Sequence, residues 1–187
     1  MKENVNRNKL KIIIIIGKDL TQKTIEYMVK HRMREYGENK KDFENNEKDS
    51  IFFFLKDGTI IKAFGMLKPV TLYCDAKQYE IMGIGNIMAV EKSKWYGTIL
   101  MKHIIDYLDN NGYVGMGGTD NPNFTFYEKC GFIFITKLLE RFVYVDENTK
   151  EHRPEAWDDK MFIFDKNNKL QELIKSNGDI IIKVPLW

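Results

Sequence analysis

Five consecutive isoleucines, Ile12 to Ile16, stand between a polar opening segment and Gly17. A β-branched run of this kind is a poor helix and a good strand, because branched side chains lose rotamers in a helix and pack well on a pleated surface. It is far shorter than the roughly 20 apolar residues that a membrane-spanning helix needs, and no small-residue cleavage site accompanies it. Leu10 to Ile16 is therefore expected as a strand, buried and central in a sheet, preceded by a disordered segment over residues 1 to 9.

Two stretches of helical period punctuate the rest. Asp19 and Gln22 have capping-box spacing, and Ile25, Met28, Val29, Met33 and Tyr36 then recur on one face until Gly37. Glu38 to Ser50 is almost wholly charged or amide, with only Phe43 to anchor it, and reads as a solvated connection or a short surface helix. Ile51 to Leu55, the pair Asp57-Gly58, and Thr59 to Met66 form a hairpin pattern, and a polar turn at Asp75 to Gln78 leads into a strand from Tyr79 to Val90. Ile99, Leu100, His103, Ile104, Tyr107 and Leu108 mark the second helix, with His103 on its inward stripe and an exit at Asn110-Asn111-Gly112. A strand at Tyr113 to Met116, a short helix at Pro122 to Cys130, and strands at Phe132 to Ile135 and Leu139 to Val145 follow. Two more strand-like runs lie in the tail from Lys160. The pattern is α/β, a single domain over residues 1 to 187, with 146 to 187 as an extension that completes the sheet or the acceptor side.

Bulk properties narrow the function. The 29 basic and 27 acidic side chains leave a net charge of +2, which implies no nucleic-acid partner. Cys74 and Cys130 make no disulfide framework, and with no membrane segment in the sequence a reducing cytoplasm is the expected setting. His31, His103 and His152 are scattered without metal-ligand spacing, so no metal is expected.

Chemistry concentrates where the strand ends at Val90, a polar turn spans Glu91 to Trp95, and a helix begins near Tyr96, Gly97 and Thr98. A helix N-terminus offers unpaired N–H groups and partial positive charge, which suits a pyrophosphate, and Lys92 and Lys94 add to it. Tyr96-Gly97-Thr98-Ile99-Leu100-Met101 looks like the end of the motif Q/R-x-x-G-x-G/A and the turn after it, with Gly97 as its second small residue. Farther on, Asn121 followed by Tyr127-Glu128-Lys129-Cys130-Gly131-Phe132 resembles the block N, a few residues, then Y-x-K-x-G-F. Together these resemble the acyl-CoA-binding half of the GNAT superfamily of N-acetyltransferases. The resemblance implies a mixed, mostly antiparallel sheet, splayed and flanked by helices, with acetyl-CoA as co-substrate and a small-molecule primary amine as acceptor. It implies that backbone groups at Met88, Ala89 and Val90 pair with the pantetheine arm. Lys94, Trp95, Tyr96, Gly97 and Thr98 would hold pyrophosphate, Asn121 would touch the cofactor, and Tyr127 would be the general acid for the departing thiolate. A catalytically silent acyl-CoA-binding or protein-interaction module is the alternative.

The chain departs from the family in two places. Trp95 stands where the first motif glycine belongs, in a shortened turn, so a bulky side chain is expected to crowd the phosphates unless the turn runs differently. Asn86 stands near the usual glutamate base, and Glu80, with the same strand parity, is about 20 Å away. Deprotonation is then expected to fall to an ordered water held by Asn86 or a backbone carbonyl, or the amine arrives neutral. A finer resemblance, to the aminoglycoside 2′-N-acetyltransferases, lies in Gly58 to Ile61, Asn86 to Val90, Tyr127 to Phe132, Arg153-Pro154-Glu155 before Asp158-Asp159, and the terminal Trp187. It implies an acceptor pocket near the C-terminus, with Asp158 and Trp187 as substrate-binding residues and Asp159, Asp179 and Trp157 nearby. A free sheet edge in the tail is a candidate surface for a homodimer.

Overall fold

The computed structural model describes residues 9–37, 42–92, 94–146, 148–153 and 160–184, with the backbone alone for Tyr36 and Asn121. The elements in order are β1 (Leu10–Ile16), α1 (Gln22–Tyr36), β2 (Ile51–Asp57), β3 (Ile60–Cys74), β4 (Lys77–Ala89), α2 (Tyr96–Asn110) and β5 (Gly115–Thr119). They continue as α3 (Phe124–Lys129), β6 (Ile133–Ile135), β7 (Phe142–Val145), β8 (Glu151–His152), β9 (Lys160–Phe164), α4 (Gln171–Lys175) and β10 (Ile180–Ile182). Backbone contacts group the chain into two units, Met1–Lys68 with Asn86–Ile104, and Pro69–Gly85 with Ile105–Trp187. Strands β3 and β4 and helix α2 contribute residues to both.

In the first unit, β1 runs antiparallel to β2 from Leu10↔Asp57 to Ile16↔Ile51, and β2 pairs antiparallel with β3 through a register shift at Leu55/Lys56. The isoleucine run is therefore not central. It pairs with β2 alone among the described residues, and Ile13, Ile14 and Ile16 are exposed. The interior position belongs to β2, whose Phe52, Phe53, Phe54 and Leu55 are buried on both faces. A continuous apolar run reports no periodicity, so it cannot say which of two such strands lies inside; the larger phenylalanines took the buried place.

Helix α1 starts at Thr21, whose Oγ accepts from the Thr24 amide at 3.3 Å, while Asp19 sits in a preceding 3₁₀ turn and caps nothing. Gly37 ends it at φ 75°. Helix α2 turns Leu100, Met101 and Ile104 inward, and the absence of a side chain at Gly65 lets Leu100 and Ile104 reach β3. His103 is exposed, contrary to expectation, because Met101 rather than His103 completes the buried face. The connection before β2 is also less solvated than its composition suggests. Phe43, Glu47 and Ser50 are buried, and Glu47 meets Lys68 Nζ at 3.2 Å and accepts from Ser50 Oγ at 2.5 Å.

In the second unit the strands lie in the order β6-β9-β5-β4-β3-β10-β7-β8. The β4–β5 and β7–β10 pairs are parallel, whereas β3–β10, β5–β9, β6–β9 and β7–β8 are antiparallel, so the sheet is mixed and mostly antiparallel. The strand expected from Tyr113 begins at Gly115 instead, although the Val114 carbonyl already accepts from Met82 N at 2.8 Å. Leu139 to Arg141 form a 3₁₀ turn before β7. Residues from the tail fill the middle: β9 lies between β5 and β6, and β10 between β3 and β7. Arg141 fixes this return by donating to the carbonyls of Gly178 at 2.8 Å and Leu173 at 3.0 Å, and to Cys74 Sγ at 3.5 Å.

Candidate active site

The strand–turn–helix junction belongs to the first unit. After β4, the Val90 amide donates to the Lys62 carbonyl at 2.9 Å, which commits that N–H to β3. Helix α2 opens with Ile99 N donating to Trp95 O at 3.0 Å, so the amides of Tyr96, Gly97 and Thr98 precede its first internal bond. Fifteen residues of aligned peptide dipoles stand behind them, with no acidic residue in the first turn. Lys62 pairs with Glu91 at 2.5 Å and lies over the buried Tyr96 ring at 5.7 Å, while Lys92 pairs with Glu35.

Trp95 resolves its own difficulty. Its φ of 64° is the left-handed conformation that the motif glycine would supply, and its side chain is 70% exposed. The backbone conformation is kept and the indole is turned to solvent.

Asn86 also has a positive φ, 52°, a local interruption of β4. Its Oδ1 accepts from Arg32 Nη1 at 2.7 Å and its Nδ2 lies 3.4 Å from Met66 Sδ. Both ends of the carboxamide are engaged. Arg32, carried by α1, is the residue that sequence reasoning missed; helical spacing placed it beside the buried Met28, but no motif marked it. One turn before, Tyr27 Oη donates to the Ile61 carbonyl at 3.1 Å and its ring lies 4.5 Å from that of His31. Burial raises the Tyr27 phenol, partly offset by Lys62. Burial, then Arg34 and Lys30, hold the His31 imidazole below its ordinary range.

Tyr127 lies in the second unit, on α3. Its ring stacks on Phe162 at 4.0 Å and meets Phe132 edge-on at 5.9 Å. The sequence block around it has a local physical reason. Gly131, at φ 95°, lets Gly131 N reach Glu128 O at 2.9 Å and Phe132 N reach Tyr127 O at 3.2 Å, a Schellman ending that folds Phe132 back onto the tyrosine. Asn121 falls in a 3₁₀ turn before α3, and its side chain lies outside the described residues.

The β4–β5 ladder consists of Met82↔Gly115 and Gly83↔Met116, whereas β5 goes on pairing with β9 as far as Thr119. Gly117 was not foreseen: a Cβ there would lie 2.5 Å from Phe162 Cζ and 2.8 Å from the Ile84 carbonyl oxygen. The glycine-rich run Gly115-Met116-Gly117-Gly118 was the available signal.

Asp158, Asp159, Trp157 and Trp187 lie outside the described residues. Asp179 is bound by both terminal nitrogens of Arg153, at 3.1 and 2.6 Å. Among the described residues no group of three His, Cys, Asp or Glu side chains is placed to hold a metal, and no helix is long and apolar enough to cross a membrane.

Sequence comparison finds no matching family model and no matching curated protein. The fold is more informative. The chain superposes on Escherichia coli ElaA with a TM-score of 0.59 at 14% identity, over 82% of this chain and 98% of that one. It superposes on an N-acetyltransferase of Staphylococcus aureus Mu50 with a TM-score of 0.56 at 15% identity, over 83% and 97%. A GCN5-related N-acetyltransferase of Kribbella flavida gives a TM-score of 0.52 at 14% identity, over 70% of this chain and 35% of that chain. The class defined by the strand order, the junction and these likenesses is an α/β protein with a mixed, mostly antiparallel sheet. Its fold is the GNAT fold.

Proposed function

We propose that the protein is an acetyl-CoA-dependent N-acetyltransferase acting on the primary amine of a small molecule, by direct transfer in a ternary complex. The observation that carries this reading is the start of α2: three consecutive amides, Tyr96 to Thr98, ahead of the first helical bond and directly after β4. That is an anion site built from backbone, suited to a pyrophosphate. In this reading, backbone at Met88, Ala89 and Val90 takes the pantetheine arm, Lys94 and Trp95 flank the phosphates, and Asn121 contacts the cofactor.

The amine nitrogen attacks the thioester carbonyl carbon, the C–S bond breaks, and Tyr127 protonates the leaving sulfur. With Asn86 held by Arg32 and Met66, the amine's own proton leaves through solvent rather than to a carboxylate on β4. Rate then comes mainly from holding the two reactants in line. Aminoglycoside-like amines belong in the first acceptor screen, with Asp158 and Trp187 as the side chains to vary if one of them reacts.

Calorimetric titration with acetyl-CoA, paired with thiol-release assays across amines, tests this reading. Expected are micromolar binding that weakens when Gly97 is replaced by Leu, and turnover that falls about 100-fold in Tyr127→Phe. Unchanged turnover in Tyr127→Phe removes the general-acid role, and undetectable acetyl-CoA binding removes the reading as a whole. The engaged carboxamide of Asn86, where a base is wanted, favours a second reading: a catalytically silent acyl-CoA-binding module. Tight binding with no thiol release from any amine would select it.

A further inference from the structure

We propose that Trp95 is a stacking platform for the adenine ring of coenzyme A, and that it makes the site selective for the complete nucleotide over shorter acyl-pantetheine thioesters. This deepens the reading of the chain as a CoA-dependent protein and rests on it.

Three observations converge on the residue. First, Trp95 is the most exposed large hydrophobic side chain among the described residues, at 70%. It gains nothing from the core, although an indole carries the largest burial payoff of any side chain. Second, the ring stands among polar groups. Glu91, Lys92 and Thr98 around it in sequence are exposed, and Tyr96 next to it is buried. A protein-docking surface would be a contiguous apolar patch; one flat ring among charges matches one flat ligand group instead. Third, its place is fixed by the backbone. Trp95 supplies the carbonyl that accepts the first α2 bond from Ile99, so its side chain departs from the very turn whose next three amides are the phosphate donors. In coenzyme A the adenosine is joined to the pyrophosphate directly through its ribose, so the base lies within one side chain's reach of whatever binds the phosphates. The left-handed φ of 64° turns the indole outward from that turn, and a glycine would hold the same backbone without a ring.

The test is calorimetric titration of the wild type, Trp95→Ala and Trp95→Phe with acetyl-CoA and with S-acetyl-4′-phosphopantetheine, which keeps one phosphate and lacks the adenosine with its 5′- and 3′-phosphates. Base–aromatic stacking predicts that Trp95→Ala weakens acetyl-CoA binding by about 5- to 100-fold. Trp95→Phe should keep most of the affinity, and all three proteins should bind the phosphopantetheine thioester alike. Acetyl-CoA should also quench indole emission in the wild type and fail to do so in Trp95→Phe. Equal acetyl-CoA affinity in the wild type and Trp95→Ala overturns the stacking role while leaving the CoA reading intact. Equal losses for both ligands also overturn it, since the ring then braces the turn. A wild type that binds neither ligand overturns the stacking role together with the CoA reading beneath it.

Discussion

At the scale of single residues, two candidate side chains are held by their neighbours, each within its own unit. Asn86 is fixed by Arg32 at one end and Met66 at the other, and Tyr127 by a stack on Phe162. His31 is the exception with a titratable consequence. Partial burial and the neighbouring Arg34 and Lys30 all penalise its protonated form, so its folded-state midpoint lies below that of the unfolded chain. The sign follows directly. A group with a depressed pKa contributes stability that is complete above its unfolded midpoint and is lost as pH falls through the folded one. NMR titration should therefore find the His31 imidazole protonating at lower pH in the folded protein than in the urea-unfolded chain. In His31→Gln, that part of the acid-side loss of stability should disappear. A folded-state His31 midpoint at or above that of the unfolded chain would contradict the account.

At the scale of elements, much was legible from the sequence because local signals and tertiary needs agreed. The period of Leu100, Ile104 and Leu108 gave α2, and the alternation of turns and apolar runs gave β2, β3 and β4. The motif glycine Gly131 was legible too, since its left-handed turn is a local event. Two things were not. The order of strands depends on partners far along the chain, so the isoleucine run of β1 was read as central although Phe52 to Phe54 of β2 take that place. And a polar connection was read as solvated although it brings Glu47 against Lys68, both nearly inaccessible. A buried ion pair recovers its desolvation cost only while both partners remain. Lys68→Met should cost about 3 kcal/mol or more because it leaves the buried Glu47 carboxylate without the Lys68 ammonium. Glu47→Gln should cost less, and the double variant less than the sum of the two. Urea denaturation of the four proteins gives the coupling; strict additivity would place the pair outside the stability of this unit.

At the scale of the whole chain, sequence order and spatial order diverge, and that decides how the molecule can be divided. Strands β3 and β4 and helix α2 each contribute to both units, so no single cut releases either one. The C-terminal residues are not an ornament on a finished sheet. β9 is the neighbour of β5 on one side and of β6 on the other, and β10 joins β3 to β7. With them come Met161, Phe162, Ile163, Leu170, Leu173, Ile180 and Ile182, all buried. At about 1.5–3 kcal/mol for each buried apolar side chain, their removal outweighs about 10 kcal/mol, as much as an ordinary domain's whole stability. Loss of Phe162 also takes away the ring on which Tyr127 stacks. A chain ending at Arg153 should consequently lose near-UV circular dichroism, bind hydrophobic dye, and release no thiol from acetyl-CoA. The substitution Phe162→Leu in the full chain separates the two causes, because it keeps the strand and removes only the ring. It should leave a cooperative thermal transition while lowering turnover through a loosened Tyr127. A truncated chain with native spectra, or a Phe162→Leu protein with undiminished turnover, would show that the tail neither completes this sheet nor positions the tyrosine.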